Sequence, residues 1–152
     1  MKVAPTLQGG LRIDVENALD WMVLRCISYD ARGGGLDLAD RVSSKMAGDD
    51  SMDDWEEFVI PELREEFNSQ LDVIEAAIAH AGDGEGPGEV FITRDDSEPW
   101  YGGLNQARLA LEERYGFSRE EPGEMTPGKR SAWFRSQFYL HVQSLLLDYV
   151  LK

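Results

Sequence analysis

Apolar residues recur along this chain mostly at three- and four-residue spacing, with one short run of strand character. The clearest helical segment is residues 97–116, SEPWYGGLNQARLALEERYG, in which Trp100, Leu104, Ala107, Leu111 and Tyr115 share one helical face. It carries its own punctuation. Ser97 is suited to cap the start, Glu98 and Pro99 fit the first turn, and Gly116 stands where a left-handed residue ends a helix. The rest of the chain is expected to organise around it. Gly102 and Gly103 each weaken a helix by about 1 kcal/mol relative to Ala. The pair therefore predicts a kink or the close approach of a neighbouring helix.

The same spacing predicts further helices on either side. Asp14 can cap one that runs to about Asp30, with Leu19, Met22, Val23, Cys26 and Ile27 as its buried stripe. Residues 36–46 read as a short helix through Leu38, Val42 and Met46, after the Gly33-Gly34-Gly35 break. Ser51 and Asp54 resemble a capping box ahead of Trp55, Phe58 and Val59. Pro61 either kinks that helix or opens a new one, whose face continues through Leu63, Phe67, Leu71, Ile74 and Ile78 to Gly82. The last helix, residues 129–151, is apolar nearly all round. A helix of that kind needs cover on most sides, so it is expected to be the centre of the bundle or the seam of a dimer. Trp133, Phe134, Phe138 and Tyr149 are its interface candidates. Residues 89–93 have strand character and can pair with the chain around Ile13 as a minor two-stranded ribbon. The expected architecture is all-α. It is a single helical domain over residues 1–152, a bundle of about five helices, with 1–10 as a loose N-terminal tail, 82–88 as a flexible loop and 116–128 as an acidic loop.

Charge narrows the function classes. Fifteen basic against 29 acidic residues leave a formal charge of −14. That balance opposes general binding to a phosphate backbone and to an anionic membrane surface. Basic partners or solubility remain. At 152 residues the chain can bury roughly 68–70% of its unfolded surface without metals or disulfides. The single Cys26 makes no internal bridge, and no apolar run is long enough to span a bilayer, so the expected location is the cytoplasm.

Candidate chemistry is sparse, and no cofactor or metal is implied. Cys26 lies in an apolar stripe with Arg25 as its only nearby base, which suits a small core residue better than a nucleophile. The acidic residues around 49–57 lack the spacing of a calcium loop. Neither His80 nor His141 follows a Glu at the interval that di-iron bundles use. The run from Gly123 to Gly128, Lys129 and Arg130 matches the spacing of a phosphate-binding loop. It lacks the preceding strand and the hydroxyl after Lys, so Thr126 capping the last helix with Pro127 in its first turn is the better account. One polar constellation stands out. Asn105 and Arg108 lie on one flank with Glu112 beyond them, either as a structural cluster or, beside Trp100 and His141, as a ligand pocket with a guanidinium fork.

Leu104-Asn105, Arg108-Leu109, Leu111 and Arg114, preceded by Trp100, resemble the most recognisable stretch of a bacterial family of uncharacterised proteins. That family is catalogued as domain of unknown function number two thousand and seventeen. The resemblance extends loosely to the chain from Pro61 to Phe67 and to Tyr139, Leu140, Leu147 and Leu151. The Gly102-Gly103 pair and the glycine-rich loop depart from the pattern. The resemblance implies a compact, mostly helical cytosolic protein with no established activity. It also implies a link to regulated proteolysis, since some relatives are encoded near the adaptor of a Clp-type protease. With no catalytic set in view, the leading expectation is a protein-interaction module that binds a protein partner or forms a homodimer. The alternatives are a small-molecule or anion binder, or an unrecognised enzyme, using Trp100, Asn105, Arg108 and His141, and an acidic mimic of nucleic acid.

Overall fold

The structure, a computed structural model, describes residues 1–33, 59–82, 84–117 and 121–151. It opens with a hairpin, β1 (Lys2–Pro5) and β2 (Leu11–Val15). The turn between them is closed by Thr6 N–H donating to the Gly10 carbonyl at 2.9 Å and Gly10 N–H donating to Thr6 Oγ1 at 3.1 Å. Gly9 takes φ 93°, which L side chains rarely adopt. The segment expected to be a loose tail is therefore strand and turn. Its Pro and Gly residues, read as breakers, are the punctuation of a hairpin, with Pro5 on an edge strand where a missing N–H is tolerated. β3 (Gly88–Ile92) pairs antiparallel with β2, Ile13 opposite Val90, in the order β1-β2-β3. The expected ribbon thus has three strands. Leu11, Ile13, Val15, Val90 and Ile92 point into the core, while Arg12 and Asp14 pair outside at 2.8 Å.

Four helices are described. α1 (Ala18–Ala31) is capped by Asn17, whose side chain accepts from Asp20 N–H at 3.0 Å. Asp14, expected in that role, lies in β2. The buried face of α1 is Trp21, Leu24, Ile27 and Ala31, whereas Leu19 and Met22 stand 63% and 51% exposed. The expected stripe was therefore rotated from the real one. Both faces are apolar, and packing against the sheet and the central helix selects the one carrying Trp21. Its indole Nε1 donates to Gly86 O at 2.7 Å, which ties down the described part of the glycine loop.

α2 (Ile60–Ala81) has Pro61 in its first turn, so the proline opens this helix, and it buries Leu71, Ile74 and Ile78 as its spacing predicts. α3 (Ser97–Tyr115) buries Trp100, Leu104, Ala107 and Leu111 and stops at Gly116, φ 60°. Its cap position is Asp96, one residue earlier than expected, and the Ser97 hydroxyl donates to Thr93 O at 2.8 Å. A Cβ on Gly103 would strike the Ile74 side chain, so the glycine pair marks the close approach of α2. α4 (Pro127–Tyr149) starts as expected, Thr126 Oγ1 accepting from Lys129 N–H at 3.4 Å.

α3 packs against α1, α2 and α4, so the described helices are organised around it as expected. The last helix, expected as the centre of the bundle or the seam of a dimer, is not the centre. One hydrophobic cluster joins all four helices and the sheet. Phe117 and Met125 plug its edge on either side of a short 3-10 turn, Pro122–Glu124, in the acidic loop. The helix expected at residues 36–46, the capping box at Ser51, and Trp55 and Phe58 lie outside the described residues. About five helices were expected, and four stand among the described ones. None of these helices is long and apolar enough to cross a membrane.

Candidate functional site

α1 and α4 both rest on α3 and make little backbone approach to one another. Why α4 lies as it does follows from its spacing. Ala132, Ser136, Tyr139, Gln143, Leu146 and Val150 recur at four and three residues and are all buried. Small and polar side chains in this stripe bring α4 near α3. Tyr139 and Leu146 are the large residues of this stripe, and other large side chains are turned outward: Phe134 is 57% exposed, Leu147 49% and Tyr149 58%.

The two outer helices are clamped by an ion pair. Arg135 donates to both oxygens of Asp30, Nε at 2.8 Å and Nη2 at 3.0 Å, and the Tyr139 hydroxyl donates to Asp30 Oδ2 at 2.7 Å. Asp30 is only 3% exposed, so its charge is satisfied entirely by these partners. The hydrogen bond to Asp30 pushes the Arg135 pKa further up. Burial, then the Asp30 charge, raises the Tyr139 phenol well above its ordinary value. Burial raises the Cys26 thiol in the same way, with Asp30 adding to it, which leaves Cys26 poorly suited to act as a nucleophile.

Beside the clamp the helices frame a groove of about 710 Å³. Leu19, Met22 and Val23 form one wall, and Phe134 and Phe138 the other, with Asp20, Arg130 and Arg135 at the rim. Trp133 props Phe134 edge-on, ring centroids 5.1 Å apart. Arg130 spans the entrance side. Its guanidinium donates to Pro122 O at 3.0 Å and Met125 O at 3.2 Å, both neutral carbonyls. These bonds account for a residue that sequence spacing had placed in a phosphate-loop pattern. Between Pro127 and Leu147, α4 carries Lys129, Arg130 and Arg135 and no acidic residue, in a chain with 29 acids.

The residues of the expected ligand pocket are dispersed. Trp100 is wholly buried in the core, while Asn105 and His141 are exposed. Arg108 bonds to Gln143 Oε1 at 2.7 Å, not to Glu112, and Gln143 in turn donates to Tyr101 O at 3.2 Å. Glu112 instead accepts from Phe117 N–H at 3.4 Å. None of the four lines any of the four described cavities. Trp100 Nε1 and Arg108 Nε are buried without a partner. Of the interface candidates, Phe134 and Phe138 line the groove, Trp133 is half-buried behind it, and Tyr149 stands exposed towards the far end of α4. Sequence reasoning missed Asp30, Arg135 and Tyr139, and it took the Leu19 and Met22 wall for core. Among the described residues no three His, Cys, Asp or Glu side chains gather closely enough to hold a metal ion.

The sequence model of one family, Domain of unknown function (DUF2017), matches residues 38–150. No curated protein and no solved structure matches the chain.

Proposed function

The chain belongs to the DUF2017 family, and we propose that it is a protein-interaction module, without catalysis of its own, that binds through the groove between α1 and α4. The observation that carries this reading is the exposure of Leu19, Met22 and Phe134, each more than half open to water around one concavity. Large apolar side chains gathered around a groove are costly to solvate and mark sites where a partner removes them from water. The Asp30–Arg135 clamp ties the two walls together, which lowers the ordering cost of binding. The reading takes the chain as one domain working in the cytoplasm on a protein partner or a second copy of itself. Regulated proteolysis is the setting that the family resemblance suggests.

Phe134→Ser tests it, because the side chain is exposed and its loss leaves the core intact. The tagged wild-type chain is expected to retain a protein, or to self-associate in sedimentation velocity, where the variant does neither. Identical capture and identical sedimentation of the two chains would remove the groove from the proposal.

A further inference from the structure

Resting on the interaction-module reading, we infer that the groove accepts an amphipathic helix whose apolar face is flanked by acidic side chains. Two arguments select this occupant. The first is shape. The walls are two helices that both pack on α3 and frame a trough lined by Leu19, Met22, Phe134 and Phe138. A trough of this form takes the ridge of a third helix, with anchors spaced three, four and seven residues apart.

The second argument is charge. The protein carries −14, yet of the α4 residues that line the groove Arg130 and Arg135 are basic and none is acidic. Arg135 is already paired with Asp30, which leaves Arg130 as the charge the α4 wall offers. Arg130 lines the groove with the Pro122 and Met125 carbonyl oxygens as its hydrogen-bond partners, so among the described residues its charge is held in place by neutral groups. The positive end of the α4 dipole lies at the same mouth. On the opposite wall the Asp20 carboxylate is engaged by Glu16 N–H at 3.0 Å. A carboxylate on the incoming helix therefore completes Arg130, and a basic one is repelled by it. A second copy fits less well. A two-fold pairing through this groove would set the Arg130 side chains of the two copies against each other.

The test uses the full chain and a fluorescent peptide of about 18 residues, long enough to hold a helix. Leu and Phe occupy its anchor positions and Glu its flanks, and a second peptide carries Lys in place of Glu. Anisotropy is expected to give at least about tenfold tighter binding of the Glu peptide, and about a tenfold loss on Phe134→Ser. Arg130→Glu is expected to reverse the preference, so that the Lys peptide binds better. That reversal is something a merely loosened loop does not produce. Equal affinity for both peptides, or an unreversed preference in Arg130→Glu, overturns the inference. So does a dimer in sedimentation equilibrium that Phe134→Ser abolishes, although that result leaves the interaction-module reading standing. A monomer that binds neither peptide and captures the same proteins as Phe134→Ser overturns both.

Discussion

α3 and α4 are the two helices whose residues differ most from their surroundings. α3 contains two adjacent glycines and only moderate apolar content, yet it is the element on which every other helix packs. α4 carries the richest set of large apolar side chains in the chain. It turns Ala132, Ser136 and Gln143 inward together with Tyr139 and Leu146, and leaves Phe134, Leu140 and Leu147 facing water. The difference teaches that apolar abundance does not locate the centre of a small fold. Close approach does, because small residues allow backbones to come together and a few large ones then fill the space. Surplus apolar surface on the outside of such a helix is surface left for something else to cover.

The sharpest way to separate the two faces is to remove one aromatic from each. Trp100 is fully buried at the middle of the α3 face. Trp100→Ala is expected to cost about 3–5 kcal/mol in urea unfolding, the range for losing a large core aromatic. A loss below about 1 kcal/mol would mean that α3 is not the packing centre.

Much of the contrast was legible in the sequence and part of it was not. The C-terminal end of α3 and the start of α4 were written locally, in Gly116 and in Thr126-Pro127, because caps act within one turn. β3 was visible as strand character, and its pairing with the chain around Ile13 was expected. β1 was lost because Pro5, Gly9 and Gly10 read as disorder when they formed an edge and a turn. On α1 two apolar stripes competed, and nothing local says which one meets the core. The Asp30–Arg135 pair lies 105 residues apart in the chain, so no spacing announces it. The groove needed both failures to be corrected before it could be seen: it consists of the rejected stripe of α1 and the outward face of α4.

The clamp is the next largest effect. Asp30→Ala leaves Arg135, with 16% of its side-chain surface exposed, and the buried Tyr139 hydroxyl without their acceptor. Breaking one side of a buried pair costs about 3–5 kcal/mol, and the partial exposure of Arg135 places the expectation near about 3. Binding at the groove should weaken in the same variant, since its walls are no longer held. Unfolding that leaves stability within about 0.5 kcal/mol of wild type would show the clamp to be ornamental.

High pH probes the same joint without mutation. The Tyr139 and Cys26 pKa values lie above their ordinary 10.0 and 9.0, so the folded chain keeps protons that the unfolded chain releases. Their contribution is complete below the unfolded values and is lost as pH rises past them. For buried Tyr139 the loss approaches about 1.4 kcal/mol per pH unit above about pH 10. Cys26 is more open to solvent, and its part is smaller. Urea midpoints measured at about pH 8 and about pH 11 should fall more steeply for wild type than for Tyr139→Phe, which has no proton to lose there. Parallel slopes would remove Tyr139 from the alkaline limb.

The smallest expected change in stability is the most informative about function. Phe134→Ser and Leu147→Ser each remove a large apolar side chain that stands about half exposed on α4. Little burial is lost, and each should alter unfolding free energy by no more than about 0.5 kcal/mol. Leu147 is absent from the groove lining and Phe134 belongs to it, so the two variants match in exposure and differ in place. Only Phe134→Ser should weaken binding of a partner helix. If both weaken it equally, the whole outer face of α4 is the docking surface and the groove has no special part. If Phe134→Ser instead destabilises the chain by about 2 kcal/mol or more, that side chain is packed in solution. The outward face of α4 would then be covered, and the contrast with α3 would vanish.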